Sequence, residues 1–356
     1  MKKLTLPYLA GLAAALTLAV AAPAAIAQER TLAVSGSGGI VGEMNTRFFA
    51  EPFTAETGIA VERLTSEGSR MAELEAMVNS GRVLWDVMEI SASNYPLGVS
   101  KGLFEPIDYS KVDPEGLLPP GARAEYGVGA ASFSHVLAVR TDQMPEGRMM
   151  SSWADFWDVE TFPGPRALRN RAEDNLEFAL LADGVAEADL YTVLSTEDGL
   201  DRAFAKMDEI KPHVTAWWTS GAQSVQLLSD GEVYFGTSYN GRIPPLAQSG
   251  LPVEIMWNGG ALHTSFVGIP KGTENIEMAH QFIAYRTMNA AQMRQYMAEL
   301  PYPGFAPGLY DGVAEAVTAI QPTAPANLEA QFSANPEFWG DNLEAIQERW
   351  NEWLLE

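Results

Sequence analysis

The chain has 356 residues, with 46 Asp and Glu against 23 Lys and Arg, a formal charge of −23, and no cysteine. So acidic a surface repels nucleic acid and anionic lipid headgroups. The missing cysteines exclude a disulfide framework, a thiol nucleophile, a thiolate metal site and a lipid-modified N-terminal Cys, so packing alone must hold the fold.

Lys2 and Lys3 precede an uncharged run over residues 4–22, then Pro23 and the small-residue stretch Ala25-Ile26-Ala27. That order is the pattern of a secretory signal peptide, with cleavage expected after Ala27. A membrane anchor would carry basic residues after the run, and no later segment reaches the length of a span, so no membrane insertion is expected after cleavage. Removal of 27 residues leaves 329, with 21 basic against 46 acidic, a formal charge of −25. A chain of that length can build two lobes, each with its own core.

The rest reads as strands alternating with helices, an α/β pattern. An apolar strand over 31–34 runs into the loop Ser35-Gly36-Ser37-Gly38-Gly39. A helix over 43–57 carries Met44, Phe48, Phe49 and Phe53 on one face, with a bend expected at Pro52 and a C-cap at Gly58. A strand over 59–63 follows. Ser66 or Ser69 can cap the next helix, striped by Met71, Leu74, Met77 and Val78 and ended by Gly81. A buried strand over 83–90 leads to the polar turn Ser91-Ala92-Ser93-Asn94, and 103–108 reads as an edge segment.

Residues 132–139 read as a strand crossing between lobes, and 153–157 as a short helix. Helices are expected over 175–182 and 200–210, strands over 214–218 and 233–237, and a helix opening at Ser220-Gly221. A strand over 253–257, a return crossing at 266–270 and a helix over 276–285 follow. Leu343, Ile346, Trp350 and Trp353 stripe a last helix, a pattern that suits packing onto a lobe. No internal repeat is present.

Catalytic and metal motifs are absent. His135, His213, His263 and His280 are scattered, with no H-E-x-x-H or helical ligand pair, so neither a metal nor a cofactor is expected. No G-x-S-x-G elbow occurs. The glycines after the first strand miss the G-x-G-x-x-G spacing, and no G-K-[ST] follows. The chain therefore reads as a binding protein, not an enzyme; the rival class is a secreted carboxylate-based hydrolase. Several strands instead end in small polar turns that open helices: 35–37, 91–93 and 220–221. Ligands of open α/β sheets bind outside the carboxyl ends of strands, so these turns point to one cleft.

The segments Phe49-Ala50-Glu51-Pro52-Phe53-Thr54-Ala55-Glu56-Thr57-Gly58-Ile59, Trp85-Asp86-Val87-Met88 and Gly102-Leu103-Phe104-Glu105-Pro106-Ile107-Asp108 carry a resemblance. So do Ser152-Trp153-Ala154-Asp155-Phe156-Trp157, Phe162-Pro163-Gly164, Asp230-Gly231-Glu232-Val233, Tyr239-Asn240-Gly241 and Ile269-Pro270-Lys271-Gly272. With these the chain resembles the periplasmic solute-binding proteins of ABC importers, in the spermidine/putrescine-binding branch. The resemblance implies the two-lobed periplasmic binding protein fold of type II: mixed sheets flanked by helices, with the ligand cleft between lobes. Residues 28–135 and 264–310 would form lobe 1, and 136–263 and 311–356 lobe 2. It implies a periplasmic monomer that binds a small molecule unchanged and hands it to an ABC permease and ATPase.

Carried onto matching positions, the resemblance implies Ser91, Asp174, Tyr239 and Tyr302 at the ligand site. The expected site also takes Ser35 and Ser37 from the loop that replaces a tryptophan-containing segment of the pattern, Ser93 where the pattern has an aromatic, and Trp218, His263 and Ser265. Asp174 would anchor an ammonium and Tyr239 would stack on the ligand, with Trp217 or Trp218 beside it. His263, Thr264 and Ser265 stand where the polyamine pattern has an aromatic, a spacer and an aspartate. Arg171 and Arg242 add groups able to hold an anion. The main expectation is a polyamine or related small amine. The alternative is a zwitterion or anion: an amino acid such as γ-aminobutyrate (GABA), an aminophosphonate or thiamine.

Overall fold

The computed structural model describes residues 31–66 and 69–356. The expected signal peptide and its expected cleavage site lie outside the described residues. The strands are β1 (Thr31–Ser35), β2 (Ala60–Leu64), β3 (Val87–Ile90), β4 (Phe104–Glu105), β5 (Arg123–Ala124), β6 (Gly127–Arg140), β7 (Arg166–Arg169), β8 (Val214–Trp218), β9 (Phe235–Tyr239), β10 (Val253–Pro270) and β11 (Gln331–Ser333). Eight of them run in the order β2-β1-β3-β10-β6-β9-β7-β8, while β4 and β11 pair with β10 and β5 with β6. Pairing is parallel among β1, β2 and β3 and among β7, β8 and β9. It is antiparallel where β10 meets β3 and β6, and where β6 meets β9.

The long strands β6 and β10 make this one sheet serve two lobes. Their register runs from Val253 opposite Arg140 to Val267 opposite Val128, with slips after Met256 and after Ser265. Such bulges bend and twist a paired ribbon. One end of the ribbon carries β3, at Phe266 to Gly268. The other carries β9, at His135 to Val139. Each end has its own core. Leu32, Val34, Phe53, Val87, Val267 and Phe282 form one. Leu137, Phe156, Leu168, Phe178, Trp339 and Trp350 belong to the other.

Local signals explain most elements. Gly58 and Gly81 end their helices at φ of 70° and 68°, a left-handed turn that glycine adopts without cost. Ser69, not Ser66, caps the helix Arg70–Ser80. The helix expected over 43–57 starts earlier, at Gly39, and passes through a π turn at Thr46–Ala50 before Glu51–Thr57. Pro52 has no N–H to bond the previous turn, and the wider turn ahead of it absorbs the mismatch. The strand expected over 83–90 begins only at Val87, because Asp86 turns its carboxylate to the Ala33 N–H at 2.8 Å and to Thr273. The two strands expected over 253–257 and 266–270 are one strand, β10. Strand β7 and the helices Asn94–Ser100 and Ala290–Glu299 were not foreseen.

The last helix, Pro336–Leu355, packs as its stripe predicts: Trp350 and Trp353 lie edge-on to Trp217 at 5.5 and 5.8 Å. Its opening turn also meets the other lobe. A Cβ on Gly340 would stand 2.6 Å from the Pro96 Cβ.

Candidate functional site

The ends of β1, β3 and β9, and the midpoint of the β6/β10 ribbon, surround a cavity of about 230 Å³. Ser37 comes from the turn after β1, Glu89 and Ile90 from the end of β3, and Ser91 from the turn that follows. Tyr239 ends β9, and Arg242 lies one turn further on. The ribbon itself supplies Phe133, Ser265 and Phe266. Asn45, Arg70, Arg286, Tyr296 and Tyr302 also line it.

Electrostatics set the cavity's character. Glu89 is the one acidic side chain on the wall, against Arg70, Arg242 and Arg286. Its carboxylate accepts from the Asn45 amide at 2.9 Å, Arg63 Nη1 at 2.8 Å and the Ser37 N–H at 2.9 Å. Burial alone would raise this carboxyl, but Arg63 and Arg286 outweigh it and hold it below the usual carboxylate range. A Cβ on Gly36 would stand 2.5 Å from Glu89 Oε2 and 2.6 Å from Arg63 Nη2, so a larger residue there would displace this ion pair. Arg286 donates to Asn45 Oδ1 at 3.1 Å and lies over the Phe49 ring at 4.6 Å. The Nε groups of Arg242 and Arg286 are buried without a hydrogen-bond acceptor. Arg70 has no carboxylate within ion-pair distance among the described residues. Several guanidinium donors thus face one space, the arrangement that holds an acid group.

Aromatic rings form the apolar side. Phe133 stands edge-on to Tyr239 at 5.7 Å and to Tyr302 at 6.3 Å. A second, more polar cavity of about 420 Å³ adjoins the first; the two share Arg70, Glu89, Ile90 and Ser91, and the second adds Arg171.

Of the ten residues expected at the site, Ser37, Ser91, Tyr239, Ser265 and Tyr302 line the cavity. Ser93 stands one step back, with its Oγ 3.5 Å from Ser91 Oγ and from Arg171 Nη2. Ser35 is buried within β1. Trp218 lies behind Tyr239, edge-on at 5.6 Å, its indole N–H donating to Thr237 Oγ1 at 3.1 Å. Trp217 turns to the core of its own lobe.

Asp174 and His263 are off the wall, for a physical reason. The Asp174 carboxylate is fully buried and accepts from His135 Nδ1 and His263 Nε2, each at 2.9 Å. Burial opposes its charge, but the two imidazoles prevail and hold it well below the usual range. Asp174 is the only non-glycine residue with positive φ among the described residues, at 72°, so the backbone is bent to place this carboxylate. His263 stacks flat on Phe133 at 5.0 Å, so it touches the cavity only through that ring.

The residues missed in the sequence are Glu89, Arg70, Arg286, Asn45 and Phe133. One signal was available: Glu89 is an acid set inside the apolar run Val87-Met88-Glu89-Ile90. A buried carboxylate needs a partner or a task.

Two lobes sharing a crossing ribbon, with a charged cavity at the crossing, define the protein as a two-lobed solute-binding receptor. It belongs to the bacterial extracellular solute-binding protein family, whose profile matches residues 49–326. A γ-aminobutyric acid-binding protein of Pseudomonas aeruginosa is 38% identical over 332 residues, 93% of each chain. A spermidine/putrescine-binding periplasmic protein of Salmonella typhimurium is 26% identical over 247 residues, 66% of this chain and 67% of that one. Among solved structures, an ABC transporter substrate-binding protein of Bradyrhizobium japonicum superposes with a TM-score of 0.83 at 33% identity, covering 91% of this chain and 99% of that one. A GABA receptor superposes with a TM-score of 0.81 at 33% identity, covering 91% and 98%. The chain is thus the solute-binding receptor of an ABC transporter, working with a permease and ATPase, and not an enzyme.

Proposed function

We propose that this receptor collects a small zwitterion of the γ-aminobutyrate type in the periplasm, rather than a polyamine. The observation that carries the reading is the charge on the wall, three arginines against one carboxylate. A polyamine brings two or more ammonium groups and would meet like charge there. The residue expected to receive an amine, Asp174, is buried off the cavity wall and paired with two histidines. A carboxylate, by contrast, suits the buried donors of Arg242. The ammonium end suits the faces of Phe133, Tyr239 and Tyr302 and the remaining lone pair of Glu89. The names of the more similar relatives favour the same choice.

In this reading the lobes are 28–135 with 264–310, and 136–263 with 311–356. Phe133 and Ser265 stand at their junction, and Arg242 faces the cavity from the second lobe. A solute that touches both lobes stabilises the closed form, which the permease then meets. Residues 1–27 direct export and are cleaved from the mature protein.

Calorimetry and thermal melting of the purified protein test this. GABA at a hundredfold excess over Kd should add about 2.7 kcal/mol of stability, and spermidine should leave the melt unchanged. Arg242→Gln should weaken GABA binding by about tenfold or more while the unliganded protein melts as before. Spermidine binding with GABA silent would overturn the reading.

A further inference from the structure

The second cavity adjoins the first, and the two share Arg70, Glu89, Ile90 and Ser91 in their walls. Arg70 opens the helix Arg70–Ser80, and Arg171 approaches from the other lobe, its Nη2 3.5 Å from Ser93 Oγ. The two arginines differ in how they are matched. Arg171 Nε is paired with Glu173 at 2.8 Å. Arg70 is partly buried and has no such partner among the described residues.

A zwitterion with one carboxylate neutralises Arg242 and leaves Arg70 unmatched. Arg63, Asn45 and Ser37 already bond to Glu89, and in the zwitterion reading the ammonium takes the lone pair that remains, so Glu89 makes no ion pair with Arg70. Partly desolvated cations facing a shared polar space are stabilised by an anion that spans them. In the zwitterion reading, on which this inference rests, the ammonium lies beside Glu89. Because Glu89 and Ser91 line both cavities, a group entering the second one must leave the solute at its amine-bearing end.

We propose that the second cavity is an anion subsite, and that the preferred solute carries a further acidic group on its amine nitrogen or on the carbon beside it, held between Arg70 and Arg171. The solute class is then an amino acid with two acid groups, one at each end of a GABA-length chain. Its two acid groups reach Arg242 and the Arg70–Arg171 pair, so closure of the lobes is read at both cavities at once.

The test compares acids with their uncharged amides of the same shape, by calorimetry on the signal-free protein. L- and D-glutamate against the matching isoglutamines place the group on carbon. N-carboxymethyl-GABA against its carbamoylmethyl counterpart places it on nitrogen, and GABA itself is the reference. At least one acid should bind about tenfold or more tighter than its amide. That ratio should fall below about threefold in Arg171→Gln and in Arg70→Gln, and persist in Arg171→Lys. Taking the ratio within each variant cancels any effect of the Arg171–Ser93 contact on lobe closure. Acid and amide binding equally to the wild type, or a ratio unmoved by both Gln variants, would overturn the proposal. If GABA binds and the ratio is one, this inference falls alone. If polyamines bind and neither GABA nor any acid does, it falls with the reading beneath it. An acid that binds with an Arg171-dependent ratio while GABA does not supports it.

Discussion

Asp174 and Glu177 show how far neighbouring environments separate two carboxyls on one helix. Asp174, at the start of Asn175–Ala182, sits between two imidazole donors and stays ionised. Burial drives Glu177 upward, the Asp174 charge adds to this, and its carboxyl reaches about 8. Glu177 accepts from the Trp339 indole at 2.7 Å and the Tyr191 hydroxyl at 3.1 Å. Above the unfolded carboxyl value and up to about 8, the folded chain holds a proton that the unfolded chain has released. Its stability therefore falls as pH rises through that window, by at most about 1.4 kcal/mol per pH unit. Glu177→Gln should flatten that slope in urea titrations between about pH 5 and 8; an unchanged slope would place the titrating group elsewhere. Asp174→Asn should behave differently. It removes the charge that both histidines address, so it should cost roughly 3–5 kcal/mol of stability, as for a broken buried pair. Any affinity change should be equal for cationic and zwitterionic solutes, because His263 acts on the cavity only through Phe133. A loss confined to cations would return Asp174 to the ligand site.

The crossing ribbon and the last helix fix how the lobes meet. The slip after Ser265 lies where β6 and β10 pass from one lobe to the other, with Phe133 and Ser265 facing the cavity from that point. Gly340 sits in the opening turns of the long C-terminal helix against Pro96, which belongs to Asn94–Ser100. Alanine at 340 favours the helix itself by up to about 1 kcal/mol. Its Cβ, however, collides with a rigid proline ring in the arrangement where both lobes line the cavity. Gly340→Ala should therefore keep or raise the melting temperature of the unliganded protein and weaken solute binding several-fold. Scattering of the liganded variant should show a larger radius of gyration than wild type. Unchanged affinity would show that this contact does not limit closure.

At the scale of the molecule, bulk charge and local charge point in opposite directions. The chain carries −23 in all, yet its cavity wall has more arginine than carboxylate. Net acidity keeps an exported protein soluble and shapes its long-range field. It says nothing about which few side chains the fold gathers at one point. The fold was legible because amphipathic stripes, caps and turn glycines are local signals. The helix stripe at Leu343, Ile346, Trp350 and Trp353 and the caps at Gly58 and Gly81 needed only near neighbours to be read. Half of the ten expected residues, Ser37, Ser91, Tyr239, Ser265 and Tyr302, line the candidate cavity because they occupy strand ends or matched motifs. Arg70, Asn45 and Arg286 were not, because they lie inside helical segments whose facing partner no local pattern reveals.

The sequence by itself determined the export pattern, the alternation of strands and helices, the lack of catalytic motifs and the receptor architecture. The first three are written in composition, periodicity and contiguous segments, and the receptor architecture is what the family resemblance implied. The tertiary structure decided the sign of the cavity and the task of its carboxylates. It withdrew Asp174 behind two histidines and brought Glu89 forward, though the two are 85 positions apart in the chain. The physical reason is that the energy of an ionised group depends on what surrounds it within a few ångströms, and only folding assembles those surroundings.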